Sequence, residues 1–285
     1  MDYRLERLTS FWNHIYENFD PVAFHIGSLS VHWYGIMYAI ALISGISIAH
    51  YFVKKDKLPI NSEELDSYIW WVEIGVILGA RLGYILFYDT HTYFYITHPW
   101  YIFNPFADDG TFIGISGMSY HGALAGFIIA SYLWCKKFDK SFLFMADLAA
   151  LSVPLAYIFG RIGNFMNERL IGRATEVPWG VYVNGVLTHP SALYEAFLEG
   201  FVVFVILYLI RYKKSFDGQL GILYVILYSI ARIIAEFFRA PDPQLGFLYG
   251  TSWLTMGILI SAVFAAIGTI LYLFLYKKRY NGEKI

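Results

Sequence analysis

Apolar residues along the chain gather into runs of about twenty, the length that crosses a hydrocarbon core about 30 Å thick. The runs fall at roughly 33–53, 67–88, 116–135, 143–163, 190–210, 219–238 and 251–276, and they predict seven membrane-spanning helices. Polar residues interrupt two of them: Ser119 and His121 in the third, Glu195 and Glu199 in the fifth. Residues 98–110 (HPWYIFNPFADDG) read as a turn-rich interfacial segment. Within 172–189, an alternating run from Trp179 to Val183 precedes Asn184-Gly185, the strongest two-residue hairpin signal. A small β-hairpin outside the membrane is therefore expected. Pro190 fits the first turn of the helix that follows. The first twenty residues are amphipathic and charged and lack the continuous apolar core of a signal peptide.

Charge sorts the connectors into two kinds. One kind is short and basic: Lys54, Lys55 and Lys57; Lys136, Lys137 and Lys140; Arg211, Lys213 and Lys214; and Lys277, Lys278, Arg279 and Lys284 at the tail. The other kind, across 89–115, 164–189 and 239–250, is longer, more aromatic and free of lysine. With seven spans all the basic clusters fall on one side, which is the positive-inside pattern. It puts the C-terminus in the cytoplasm and the N-terminus outside. Composition agrees: 58% of the 285 residues are apolar, 15% are charged and mean hydropathy is +0.50, against about 25% charged in a soluble domain. The single cysteine, Cys135, excludes an internal disulfide framework and reads as a small apolar residue. The near-neutral net charge of −1 carries no message about nucleic acid. No GxGxxG, P-loop, HExxH, CxxC or internal repeat is present.

The remaining basic residues are all arginines: Arg4, Arg7, Arg81, Arg161, Arg169, Arg173, Arg232 and Arg239. Arg81, Arg161 and Arg232 lie inside apolar runs, where each costs about 2.5–3.5 kcal/mol near mid-membrane. Candidate partners are Glu73, Asp147, Glu195, Glu199 and Glu236. Arg232 and Glu236 share a helix face at i,i+4, and Arg239 is expected to extend that stripe by a turn. The plain alternative is that these charges only pair with one another and hold a bundle together. A guanidinium, however, is a fixed fork matched to carboxylate or phosphate, and a lipid phosphate is the simplest partner at headgroup depth. His121 can take or give a proton near neutrality, or donate one structural hydrogen bond. Asn164 and Asn167 follow Arg161 at i+3 and i+6. Tyr34, Tyr84, Tyr88, Tyr194 and Tyr228 lie in spans or at their ends with hydroxyls that need partners. His32 reads as interfacial and His189 as the start of a helix. The residues suggest an all-α bundle with a polar cavity opening to the outer leaflet.

Six stretches carry a family resemblance: HWYG (32–35), GARLGYILFY (79–88), GMSYHGALAG (117–126), GRIGNFMN (160–167), HPSALYEAFLEG (189–200) and YSIARIIAEFFRAPD (228–242). In order and content they resemble the prolipoprotein diacylglyceryl transferases of the bacterial inner membrane. The resemblance implies a seven-helix membrane-embedded transferase domain spanning 1–285. Residues 1–30 would be an extramembrane segment, and 164–189 would supply most of a small periplasmic head. It implies transfer of the sn-1,2-diacylglyceryl group from phosphatidylglycerol to the lipobox cysteine thiol of prolipoproteins, releasing glycerol-1-phosphate. His121, Arg161 and Arg232 match catalytic positions of the family. Tyr34, Arg81, Asn164, Gly172, Glu195, Tyr228, Glu236 and Arg239 match substrate-binding positions. No metal or soluble cofactor is implied, since the histidines are scattered without ligand spacing, and nothing demands more than a monomer. The sequence departs from the family at Glu168-Arg169, where the usual carboxylate stands one place earlier and arginine takes its position. Another phospholipid-modifying transferase, or a phospholipid transporter, is the competing reading.

Overall fold

A computed structural model of the chain describes residues 10–27, 29–90, 92–106, 110–111, 114–115, 117–167, 171–242 and 245–282. The departure at Glu168-Arg169 lies outside the described residues, as do Arg4, Arg7 and Lys284. Six helices are long and apolar enough to cross a membrane: α2 (Trp33–Lys55), α3 (Ser62–Phe87), α6 (Phe142–Met166), α7 (Ser191–Lys213), α8 (Gln219–Glu236) and α9 (Met256–Tyr280). The remaining expected span is also a helix, α5 (Tyr120–Lys137). His121 at one end and Lys136-Lys137 at the other shorten its apolar stretch, so composition alone does not place it with the six. Short elements among the described residues include α1 (Ile15–Asn18), a hairpin of β1 (Val22–Ile26) and β2 (Leu29–His32), α4 (Thr92–Thr97), and a second hairpin of β3 (Val181–Val183) and β4 (Val186–Thr188). The expected Asn184-Gly185 turn joins β3 to β4, with φ of 50° and 77°, the left-handed pair that a type I′ turn requires. The β1–β2 hairpin was not expected from the pattern. The segment expected to be turn-rich begins with a 3₁₀ turn, Pro99–Phe103.

The chain forms two compact units, one of residues up to Phe52 together with Ala146 onward, the other Val53–Met145. In the second unit α3 and α5 lie backbone to backbone. Gly75, Gly79 and Gly83, each four residues apart, meet Gly122, Gly126 and Ala130 at the same spacing. A Cβ on Gly83 would come within 2.7 Å of Gly122 Cα. Small residues at i,i+4 let spans approach this closely where no hydrophobic force drives them together. Below this seam, fully buried Trp134 donates its ring N–H to Ser67 Oγ at 3.1 Å, and Tyr68 meets Ser131 at 3.0 Å. Asn61 and Glu64 close a capping box at the start of α3.

In the first unit, Asp147 of α6 explains one of the carboxylates that the sequence left open. It is 4% exposed and accepts from the backbone N–H groups of Gly218 at 2.9 Å and Gly221 at 3.0 Å. It therefore caps the start of α8 from a different helix, satisfying donors that every helix leaves open at its first turn. Lys214 joins it at 3.1 Å and Asp217 at 2.9 Å. Burial opposes the charge on Lys214, but its bonds to Asp217 and Asp147 prevail and raise its pKa, so the ammonium keeps its charge at neutral pH. Asp147→Ala would leave two amides and an ammonium short of an acceptor, at a cost of about 3 kcal/mol. Thermal unfolding of the detergent-solubilised variant should show a clearly lower midpoint. An unchanged midpoint would mean that the cap is dispensable.

Candidate active site

Three helices of the first unit bring most of the intramembrane charges together. Arg161 comes from the last two turns of α6, Glu195 and Glu199 from α7, and Arg232 and Glu236 from the last turns of α8. Glu195 and Glu199 are both 0% exposed. Arg161 Nη1 lies 3.1 Å from Glu195 Oε2. Arg232 Nη1 lies 3.1 Å from Glu195 Oε1 and 3.5 Å from Glu199 Oε1, and its Nη2 lies 2.7 Å from Glu236 Oε2. The i,i+4 pair expected on α8 is thus present. Glu236 also accepts from Thr255 Oγ1 at 3.0 Å. Thr255 in turn caps α9 by accepting from the Ile258 N–H, so one hydroxyl ties α9 to the cluster.

Mutual pairing of arginines and carboxylates is the main chemical property of this cluster. Three guanidinium groups, those of Arg161, Arg232 and Arg239, meet three buried carboxylates, those of Glu195, Glu199 and Glu236, and Arg239 also meets the half-exposed Asp242. Among the described residues, Glu195 receives its arginines by proximity without a directed hydrogen bond, and Arg161 Nε is buried without a hydrogen-bond partner. Arg239 is the least committed cation. It stands 3.9 Å from Glu195, and its closer partner, Asp242 at 2.9 Å, is half-exposed.

Arg239 does not reach this place as a continuation of a helical stripe. α8 ends at Glu236, and a strap carries the chain onward. Gly172 forms a β-bridge with Arg239, the Arg173 amide bonds to Phe238 O at 2.8 Å, and the Ala240 amide bonds to Ile171 O at 3.1 Å. Arg173 adds its side chain, with Nε to Arg239 O at 2.9 Å and Nη2 to Glu236 O at 3.2 Å. On the other edge of the strap the His189 amide bonds to Arg173 O at 3.0 Å. His189 itself is pushed down in pKa by burial and meets Tyr194 Oη at 3.2 Å.

A family model described as prolipoprotein diacylglyceryl transferase matches residues 21–274. The chain belongs to this family. A phosphatidylglycerol–prolipoprotein diacylglyceryl transferase of Aliarcobacter butzleri is 66% identical over 253 residues, 89% of this chain and 92% of that protein. One from Campylobacter jejuni subsp. jejuni is 58% identical over 272 residues, 95% and 99% of the two chains. One from Wolinella succinogenes is 58% identical over 267 residues, 94% and 97%. Six apolar helices and membership of the transferase family together make the chain a multi-pass membrane protein.

Among the family-matched residues, the first unit gathers Arg161, Glu195, Arg232, Glu236 and Arg239 into one network. Tyr228 adjoins it, its ring edge-on to Tyr157 at 5.8 Å. Tyr34 opens α2 beside Gly163 of α6, and Asn164 lies half-buried one turn beyond Arg161. Arg81 and His121 belong to the second unit. Buried Arg81 donates Nε to Ile102 O at 2.6 Å and Nη1 to Gly117 O at 3.1 Å. Carbonyls hold this arginine, and it ties the loop before α5 to α3. His121 is exposed, with Nδ1 3.4 Å from Tyr88 Oη.

The sequence reading passed over Tyr157, Arg173 and Thr255, and left Glu199 as one carboxylate among several. For Tyr157 and Glu199 a signal existed: they stand four residues from Arg161 and Glu195 and share their helix faces. Thr255 and Arg173 act across long sequence separations and had none. Gly172 also gains a physical reason, since a Cβ there would fall on the His189 carbonyl. Gly172→Ala should therefore push the strap apart at a cost of about 1–3 kcal/mol. Hydrogen–deuterium exchange should then rise at the Arg173 and Ala240 amides. Unchanged protection there would separate Gly172 from the strap.

Proposed function

We propose that the chain transfers the sn-1,2-diacylglyceryl group of phosphatidylglycerol to the lipobox cysteine thiol of prolipoproteins, forming a thioether and releasing glycerol-1-phosphate. Family membership over nearly the whole chain and the identity to proteins of that name support this reading. The observation that carries it to particular residues is the arginine network around Glu195. In this reading the phosphodiester is held first by Arg239, which stands 3.9 Å from Glu195, and by Arg161, whose Nε has no hydrogen-bond partner among the described residues. Asn164, Tyr34, Tyr228 and Glu236 complete the lipid site, and Gly172 serves it by carrying Arg239. Arg81 serves substrate through the loop that it ties down. His121 takes the proton of the thiol, because a thiol of pKa about 8.5 is mostly protonated at neutral pH. The thiolate attacks the glyceryl C3 carbon, its bond to the phosphate oxygen breaks, and the electron pair leaves on glycerol phosphate. Arg232 and Arg161 stabilise the charge that grows there.

The wider arrangement follows the same reading. α5 is a seventh span, packed on α3 along the glycine seam. The whole of 1–285 is then one membrane-embedded transferase domain, acting as a monomer. The lysine-bearing connectors face the cytoplasm of a bacterial inner membrane, with the N-terminus periplasmic and the C-terminus cytoplasmic. The head formed mainly by 164–189, with the segment 1–30, then lies in the periplasm beside an active site in the outer leaflet.

Purified protein incubated with phosphatidylglycerol and a lipobox peptide should yield a thioether-linked diacylglyceryl peptide and glycerol phosphate. Glycerol phosphate formed without the cysteine would point instead to another lipid-modifying transferase. Movement of labelled lipid between leaflets without product would point to a transporter. Arg232→Lys keeps the charge but loses the fork that spans Glu195 and Glu236. Its turnover should fall about 100-fold, or about 2.7 kcal/mol of transition-state stabilisation. Turnover within a few-fold of the parent would remove Arg232 from its assigned role.

A further inference from the structure

We infer that Tyr157 is a positioning residue for the reaction proposed above, its hydroxyl holding Glu199 off Arg232 while its ring seats Arg161; the inference rests on that reading. Tyr157 lies one turn before Arg161 on α6, and the Arg161 guanidinium stands 4.6 Å above its ring, within cation–π range. The hydroxyl donates to Glu199 Oε2, a carboxylate with no exposure to solvent. The same ring meets Tyr228 edge-on at 5.8 Å. One side chain thus touches three members of the site, although it lies outside every motif that carries the family resemblance.

The backbone is shaped to make this contact. Glu199 sits in a π-helical turn of α7, Ala196–Val202, a form that is rare and concentrated at functional sites. Next to it, Gly200 leaves room for Ile158 and the Pro154 carbonyl, which a Cβ would crowd at 2.5 Å and 3.0 Å. α7 and α6 can therefore meet closely enough for the tyrosine to span them.

The distances around Arg232 show what the hydroxyl does. Arg232 lies 3.1 Å from Glu195 and 2.7 Å from Glu236, but 3.5 Å from Glu199. Glu199 is the carboxylate that leans on the tyrosine. Without the hydroxyl, its remaining hydrogen bond among the described residues is the one from Arg232. A buried carboxylate short of donors draws the nearest cation closer. Arg232 would then be turned from the departing phosphate, whose extra charge exists only as the bond breaks. An interaction lost in the transition state alone lowers kcat and leaves ground-state binding in place.

The test is Tyr157→Phe in the full-length protein, assayed beside the parent with phosphatidylglycerol and a lipobox peptide. Phenylalanine keeps the ring under Arg161 and removes only the hydroxyl. The expected result is a fall in kcat of about tenfold, equivalent to about 1.4 kcal/mol, with KM for the lipid and the unfolding midpoint preserved. Tyr157→Leu, which also removes the seat of Arg161, should raise KM for phosphatidylglycerol in addition. A parent-like kcat in Tyr157→Phe overturns the inference. So does a loss accompanied by a higher KM and a lower midpoint, which marks a packing residue. A parent protein that forms no thioether overturns the functional reading itself, and the inference falls with it.

Discussion

The buried carboxylate of Glu195 is the constraint from which the rest of the first unit takes its form. Arg161 and Arg232 reach it from two other helices at 3.1 Å each, and Arg239 approaches to 3.9 Å. An arginine alone in hydrocarbon costs several kcal/mol, and a glutamate without exposure to water is no cheaper. Neither α6, α7 nor α8 can therefore move away from the others without stranding a charge. Breaking such a pair from one side costs about 3–5 kcal/mol. The strap at Gly172 and Arg173, and the hydroxyl of Thr255, extend the same constraint to the chain beyond α8 and to α9.

The geometry around Glu195 is also unfinished in an informative way. A guanidinium and a carboxylate usually meet as two parallel forks. Here two arginines each offer Glu195 a single nitrogen, and neither contact has the angle of a directed hydrogen bond. The attraction is coulombic. A network satisfied in every direction would be a structural clasp, as Asp147 is with Gly218, Gly221 and Lys214. The two buried acidic centres thus differ in hydrogen bonding: Asp147 accepts from two amides, whereas Glu195 accepts no directed bond among the described residues.

Much of this architecture was legible because it is local. Span positions follow from runs of apolar residues, the second hairpin from Asn184-Gly185, and the Arg232–Glu236 pair from helical spacing. The seam of α3 and α5 also rests on a local spacing, with Gly75, Gly79 and Gly83 against Gly122 and Gly126. What escaped was set by contacts distant in sequence. Asp147 reads in the sequence as one more acid in a span, and only the position of α8 makes it a cap. Arg239 reads as helical because its spacing from Arg232 fits, yet the helix stops at Glu236 and a bridge to Gly172 carries it. The β1–β2 hairpin escaped because Val22–Ile26 and Leu29–His32 are short and lack an Asn-Gly or Asp-Gly signal. Composition also cannot rank α5 with the other spans, since His121 and two lysines trim its apolar length.

A network of arginines already paired with carboxylates is better suited to the proposed chemistry than three bare arginines would be. Bare cations would hold the phosphodiester of phosphatidylglycerol tightly before anything reacted, and binding that is equal in ground and transition states does not raise kcat. The glutamates take up most of that attraction in advance. A phosphodiester arrives with one negative charge, whereas the glycerol phosphate that leaves carries close to two at neutral pH. That added charge appears beside guanidinium groups already fixed in place, in surroundings where water does not weaken them. The carboxylates then set the level from which stabilisation is counted. Glu199 and Tyr157 matter for the same reason, because the difference depends on how far Arg232 is held from its nearest competitor.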